Sequence, residues 1–259
     1  MSMMIPFMPE AQPQNTFEWV GYLAKEYAST FWQGTLITLY IAILGTLIGF
    51  LVGFILGVIS DIETTPDDGA IKRGFVWLVK AISNIYIEIF RDTPMIVQAM
   101  VIYYGLRSFG IEIEAIPAGL LVTVLNTGAY MSETVRTGIN SVDHGQKEGA
   151  RALGMSNLKT MLIVVLPQAF RNIIPEMANM FLTNLKMTSV LNVIGVNELF
   201  MVAKTTGAVY YKYFEAYLVI ALIYFVLCFI FNRLFLYIEK KMKGKDDYAL
   251  AVEYLNDGL

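Results

Sequence analysis

From Gly34 to Ile59 the chain reads G-T-L-I-T-L-Y-I-A-I-L-G-T-L-I-G-F-L-V-G-F-I-L-G-V-I, with no charged residue anywhere in it. At 1.5 Å per residue such a run crosses the roughly 30 Å hydrocarbon core of a bilayer with length to spare. Hydrocarbon offers no hydrogen bonds, so the backbone must satisfy itself within the segment, and a helix is the form that does so. Gly45, Gly49, Gly53 and Gly57 recur every fourth residue in this run. That spacing lays a bare groove along one helical face, where another helix can approach backbone to backbone. The acidic, proline-containing stretch from Asp61 to Asp68 closes the segment.

The rest of the chain repeats the theme. With 56% hydrophobic and 16% charged residues and a mean hydropathy of +0.55, the 259 residues are too apolar for an ordinary soluble domain and suffice for about five spans of roughly 20 residues. Residues 70 to 92 mix Lys72, Arg73, Lys80, Glu88 and Arg91 with Phe75, Trp77, Ile82, Ile85 and Ile89, the pattern of an amphipathic helix lying along the membrane face. Thr93-Pro94 opens a second apolar stretch to about Gly110. Further spans are expected from Ala115 to Thr137, Thr160 to Leu185 and Phe214 to Tyr237. The segment from Lys186 to Tyr213 is partly apolar and can dip into the membrane without crossing. Met1 to Thr16 lacks the basic start and short apolar core of a cleaved signal, so the first span is expected to serve as an uncleaved one.

Charge placement gives an orientation. Six of the 19 Lys and Arg (Lys25, Arg107, Arg171, Lys186, Lys204 and Lys212) fall outside or within the membrane if the polar loop from about 140 to 159 is cytoplasmic, and the other 13 fall inside. The excess of inner cations predicts an outer N-terminus and an inner C-terminus. The fold class expected is therefore an all-α membrane protein of about five transmembrane helices. Its parts are an extracytoplasmic arm over 1–33, a transmembrane domain over 34–241 and a cytoplasmic tail over 242–259.

Several chemistries lack their residues. Cys228 is the only cysteine, in an apolar run, so it packs and forms no intrachain disulfide. His144 is the only histidine, and no His/Cys/carboxylate set has metal-ligand spacing, so no metal or cofactor is expected. No phosphate-binding loop of the G-x-x-x-x-G-K-[ST] type is present, so ATP hydrolysis by that route must come from another protein. Nothing in the charge pattern suggests nucleic acid. Trp19, Trp32, Tyr103, Tyr104, Tyr210, Tyr211 and Tyr213 gather near span ends as an interfacial belt.

Polar residues inside spans are the candidates for function. Thr123, Asn126, Tyr130, Glu133 and Thr137 follow one another at steps of three and four, which puts them on one helical face. A carboxylate at a span centre costs about 2.5–3.5 kcal/mol on insertion scales and is tolerated against a polar cavity or a partner. Glu133 therefore faces either the translocation path, an ion pair with Arg136 or Arg171, or the inner interface. Gln168, Arg171, Asn172, Glu176, Asn179 and Thr183 share roughly one face of the next span, broken by Pro167 and Pro175, whose freed carbonyls need partners. Lys186, Thr188 and Ser189 beyond it could hold an α-carboxylate, or Lys186 could snorkel to outer headgroups.

The polar loop carries a spaced array: Glu148, Gly149, Ala150, three residues, Gly154, nine residues, then V-V-L-P ending at Pro167. This array resembles the E-A-A…G…I-x-L-P coupling motif of ABC importer permeases, with Gly149 at the second Ala and Val164 at the Ile. The small residues let a short helix seat in a partner's groove, Gly154 can turn the chain, and Glu148 can fix the join by hydrogen bonds. A-Y-M-S-E-T-V-R-T-G-I, F-R-D-T-P-M-I-V-Q, L-P-Q-A-F-R-N-I-I-P and L-K-M-T-S-V-L-N-V-I-G narrow the resemblance to the polar amino-acid (histidine/glutamate/glutamine/arginine) subfamily, over nearly everything from Gly34 to Lys241. The subfamily usually has an acid where this chain has Met187.

The resemblance implies a type I ABC importer permease fold in the bacterial inner membrane, with a cytoplasmic coupling helix. It also implies a second permease subunit, identical or paralogous, two cytoplasmic ATPase subunits that bind the ATP, and an extracytoplasmic amino-acid-binding protein. Glu148, Gly149, Ala150, Gly154 and Pro167 are then the ATPase-coupling residues, and Gln98, Asn126, Tyr130, Glu133, Lys186, Thr188 and Ser189 the substrate-path candidates for a polar or cationic amino acid. The rivals are a secondary transporter using Glu133 and Glu176 as ion ligands and a membrane scaffold that moves no solute.

Overall fold

Asn15 starts the first helix by accepting the Glu18 N–H at 2.9 Å, while the Glu18 carboxylate reaches back to the Gln14 N–H, a reciprocal cap that satisfies two otherwise orphaned donors. The computed structural model describes residues 13–62, 64 and 68–243. Their order is α1 (Thr16–Glu26), α2 (Ala28–Ser60), α3 (Ala70–Asp92), α4 (Met95–Ser108), α5 (Ala115–Asn140), α6 (His144–Ala152), α7 (Asn157–Thr160), a π turn (Met161–Val165), α8 (Leu166–Met187), a 3₁₀ segment (Thr188–Ile194), α9 (Leu199–Tyr210) and α10 (Tyr213–Lys243). No strand occurs among the described residues. The first part of the N-terminal arm and the tail from residue 244 lie outside them.

Among the described residues three helices are long and apolar enough to cross a membrane: α2, α5 and α10, the last counted to Met242. A fourth crossing requires the bent pair formed by Asn157–Ile194 and Leu199–Tyr210. The stretch expected to span after Pro94 is α4, whose 14 residues reach only about 21 Å, short of the hydrocarbon core. α3 has the expected amphipathic form, with Ile71, Phe75 and Trp77 exposed on it.

The chain falls into two compact units. Unit one takes the described residues up to Gly45, then Met95–Thr123 and Leu185–Leu227; unit two takes the described residues within Thr46–Pro94, Val124–Asn184 and those from Cys228 to Lys243. Unit one has two apolar clusters, one of Ile41, Met95, Ala99, Val122, Leu191 and Ile194 and their neighbours, the other of Leu23, Phe31, Leu199, Ala203, Ala216 and Ile220 and theirs. Unit two is centred on Val135, Ile139, Val142, Val165, Leu166, Ala169 and Ile173.

The glycine groove of α2 receives α5, as its spacing predicts. A Cβ at Gly53 would meet the Met131 Cβ at 2.6 Å, the Ser132 nitrogen at 2.7 Å and the Gly128 oxygen at 2.8 Å, so no side chain fits there. Within unit two the contact is fastened by Asn184 of α8, whose amide donates to Thr46 and Thr127 hydroxyls at 2.9 Å each. The aromatic belt is only partly as expected. Trp32 and Tyr211 are exposed, but Trp19 and Tyr103 are buried, and Trp19 packs on Tyr22 and Tyr210 with ring centroids 5.7 and 5.5 Å apart.

Candidate functional site

The coupling array forms a helix, a glycine turn and a second short helix. Asp143 caps α6 by accepting the Gly145 N–H at 2.7 Å. At the other end the Met155 N–H donates to the Ala150 carbonyl at 3.1 Å and the Gly154 N–H to Arg151 at 2.9 Å, with Gly154 at φ +79°. This is the 6→1, 5→2 bond pair of a Schellman stop, which places its glycine in the left-handed region where a Cβ is strained. Ser156 then caps α7. Gly154 thus turns the chain between two helices, and the turn depends on it.

Burial divides the array into two faces. Ala150 is buried, and Val142, just before α6, joins the unit-two core. Glu148 and Gly149 are exposed, nothing stands within 4 Å of a Cβ built at Gly149, and Leu153 and Leu158 are 86% and 68% exposed. The Glu148 carboxylate has no hydrogen-bond partner among the described residues, so the join is held by Asp143, Gly154 and Ser156 and not, as the sequence suggests, by Glu148. Leu166 is buried, while Pro167 is exposed and follows the π turn. Proline cannot donate to the carbonyl four residues back, and the wider π turn absorbs the mismatch, with the Leu166 N–H reaching the Met161 carbonyl.

The polar face of α5 meets the end of α3. Pro94 has no N–H for the Phe90 carbonyl four residues before it, and that carbonyl accepts from the Asn126 amide at 3.2 Å. The Arg91 carbonyl accepts from the Tyr130 hydroxyl at 3.4 Å, and the Thr93 hydroxyl serves Ile89 at 2.6 Å. Two expected path residues, Asn126 and Tyr130, are therefore also the caps that end α3. Glu133, one turn along, pairs with Arg136 and lies 4.0 Å from Arg91. Arg171, named from sequence as a rival partner, is not bonded to it; Arg91, which the α3 end supplies, is the partner sequence reasoning missed. These groups open on a cavity of about 610 Å³ lined by Arg91, Tyr130, Glu133, Arg171, Asn172 and Glu176, among others. A solute with both a charge and hydrogen-bonding groups would find both signs there.

The remaining candidates belong to unit one. Gln98 is buried on α4 and Lys186 is exposed at the end of α8. The Thr188 hydroxyl, fully buried, donates to the Leu185 carbonyl at 3.0 Å, and Ser189 donates to the Lys186 carbonyl at 2.7 Å. Both hydroxyls thus tie off the helix end where α8 passes into the 3₁₀ segment. Glu198 was not marked by its sequence context, because it sits in a loop between apolar stretches. It is wholly buried, accepts the Phe200 and Met201 N–H groups at 2.7 and 2.8 Å and takes the Tyr224 hydroxyl at 3.3 Å, so it caps α9. The E-L-F run at its position was the available signal, a capping acid directly before a helix.

Known proteins match this arrangement. The model of the binding-protein-dependent transport system inner membrane component family matches residues 53–244, more than half of the chain. The arginine transport system permease protein ArtQ of Bacillus subtilis (strain 168) is 39% identical over 175 residues, 67% of this chain and 78% of that protein. The probable amino-acid permease protein YxeN of the same organism is 33% identical over 85% of this chain and 93% of its own length. Among solved structures, the crystal structure of an amino acid ABC transporter with histidines is 37% identical and superposes with a TM-score of 0.74, over 83% of this chain and 95% of that one. With an all-helical fold of this type and the helix–glycine–helix turn in the matched region, the chain belongs to the family of inner membrane components of binding-protein-dependent transport systems.

Proposed function

We propose that the chain is the permease subunit of an ATP-driven importer of polar or cationic L-amino acids, working by alternating access. The observation that carries this reading is the α6 turn. It holds exposed Glu148, Gly149 and Leu153 on a stiffly stopped helix and its end, while Ala150 on the same helix is buried and Val142, just before it, joins the unit-two core. A partner ATPase seated on the outer face moves α6, and the buried anchors pass the displacement to α5 and α8. The two states differ in those contacts, which is what allows hydrolysis to drive the exchange. Similarity to permeases named for arginine and other amino acids supports the substrate class, as does the two-signed cavity around Glu133 and Arg171.

In this reading five segments span the bacterial inner membrane, the short α4 among them only with the help of the residues that flank it, with the N-terminus outside and the C-terminus inside. The arm covers 1–33, the permease domain 34–241 with its coupling loop at about 140–159, and the tail 242–259. The partners are a second permease subunit, two cytoplasmic ATPase subunits that bind ATP and an extracytoplasmic binding protein. Glu148, Gly149, Ala150, Gly154 and Pro167 serve coupling; Gln98, Asn126, Tyr130, Glu133, Lys186, Thr188 and Ser189 line or shape the path. The test is uptake of a mixed amino-acid panel into proteoliposomes holding the chain, its ATPase and its binding protein. Uptake that needs ATP and all three components is expected. Uptake by the chain alone under an ion gradient would overturn the proposal in favour of a secondary transporter.

A further inference from the structure

Two polar cavities of unit two meet at one ion pair. The cavity of about 610 Å³ at Glu133 has a neighbour of about 420 Å³, lined by Ser60, Lys80, Asn84, Glu88 and Arg136 among others, and the two linings have Arg91 and Glu133 in common. Those two side chains therefore form the wall between the cavities. The other cations of the second cavity are engaged: Lys80 donates to the Ser60 carbonyl at 2.9 Å, and Arg136 holds Glu133. Glu88 has no ion pair or hydrogen bond among the described residues.

The wall is firm on one side and loose on the other. Arg136 donates to both oxygens of Glu133, one bond at 3.0 Å, and sits on the same helix. Arg91 stands 4.0 Å from Glu133, beyond hydrogen-bond length, and its guanidinium lies 5.8 Å from the centre of the Tyr130 ring, near the outer limit of a cation–π contact. The two side chains are 40% and 32% exposed, a setting in which an ion pair contributes little. Because Arg136 already serves both oxygens, Arg91 can leave without stranding the carboxylate. Its backbone stays in place, since the Arg91 carbonyl accepts from the Tyr130 hydroxyl and the Phe90 carbonyl from the Asn126 amide. A second carboxylate is within reach: Glu88 precedes Arg91 by three residues on α3, and residues so spaced are neighbours on a helix surface.

We propose that Arg91 is a two-position latch in the solute path: on Glu133 it walls the two cavities apart, and on Glu88 it lets them join. The inference rests on the reading of the Glu133 cavity as part of that path. A side chain that exchanges one weak carboxylate contact for another has two states close in free energy. A small displacement of α3 against α5 is then enough to tip it, which is how a movement begun at the coupling helix reaches the solute. Arg91 gates the path, while Glu133, pinned by Arg136, keeps its place in both states.

Two measurements test the latch, one on the full complex in proteoliposomes and one on the full chain alone in detergent. In the complex, Glu88→Gln removes the second position and should slow ATP-driven uptake about threefold, the scale of one exposed ion pair. Arg91→Ala removes the latch and should let solute leak from loaded vesicles without ATP; adding Glu88→Gln to it should change nothing further. Arg91→Ala keeps the carbonyl that Tyr130 caps, so the variant retains its fold. Unchanged uptake in Glu88→Gln, or the same Glu88→Gln defect with and without Arg91, would overturn the proposal. In detergent, Glu133→Gln releases Arg91 to Glu88, so adding Glu88→Gln should lower Tm by about 1–3 °C, and by nothing once Arg91→Ala is also present. Equal shifts with and without Arg91, or no shift in either, would also overturn it. Absence of ATP-dependent uptake in the parent complex would sink the importer reading instead, and the detergent measurement, which needs no partner, would still decide whether Arg91 serves both carboxylates.

Discussion

Two segments of this protein use the same backbone device to opposite ends. At Gly154 and at Gly195 a helical segment stops on a glycine in the left-handed region, φ +79° and +86°, and the following residue donates five residues back: Met155 to Ala150 and Val196 to Leu191. Around Gly195 the apolar side chains turn inward, with Leu191, Ile194 and Val196 buried in the unit-one core. Around Gly154 they turn outward, with Leu153 and Leu158 exposed. An identical stop can thus close a core or present a surface; what differs is whether a neighbouring element exists to cover it. Exposed leucines on a rigid turn are a feature a partner can use.

The contrast predicts unequal responses to matched substitutions. Leu191→Ala should lower unfolding stability by about 2–5 kcal/mol, since a fully buried leucine leaves a cavity. Leu153→Ala should change stability by less than about 0.5 kcal/mol yet reduce ATP-coupled uptake. Thermal unfolding and transport measured on both variants decide this, and equal stability losses would erase the distinction. Next in size, Gly154→Ala and Gly195→Ala should each cost about 1–2 kcal/mol, because both backbones are left-handed and neither site is crowded. Their similar Tm losses should separate in transport, with the Gly154 variant alone losing the link between hydrolysis and uptake after both are corrected for folded protein. Smallest is Thr160→Val, expected to raise stability by about 1 kcal/mol by removing a buried hydroxyl that is unpaired among the described residues. A loss of stability there would mean that the hydroxyl has a partner in the folded state.

Much of the fold can be read locally. The Gly45-to-Gly57 stripe announces its packing because only a bare backbone allows helices so close, and Gly154 announces its turn because the alternative residues are strained there. Pro167 announces a break but not its kind; the π turn before it depends on how Leu166 and Val165 reach the core. The site was less legible. Spacing put Asn126, Tyr130 and Glu133 on one face correctly, but not what that face would meet. The carbonyls of Phe90 and Arg91 are features of a backbone end more than thirty residues away, freed by Pro94 and by helix termination, and no pattern within α5 encodes them. Thr188 and Ser189 likewise look like ligand donors in sequence, whereas their hydroxyls are taken by nearby carbonyls. α4 shows the limit of hydropathy: an apolar run beginning at a proline is legible, but its helix ends at Ser108, short of a full crossing.

By itself the sequence determined the membrane habitat, the helix-only architecture, the glycine seam and the helix–glycine–helix turn, because hydropathy, periodicity and left-handed backbone strain act over a few residues. Only the tertiary structure decided that Arg91 joins Arg136 at Glu133, that Glu198 is a buried cap, that Glu148 is left outward with no bond among the described residues, and that Thr160 is enclosed beside Lys147 and Arg151. Those outcomes depend on which polar groups from distant parts of the chain are brought within about 3–4 Å of each other, a proximity that the fold sets and that leaves no trace in local sequence.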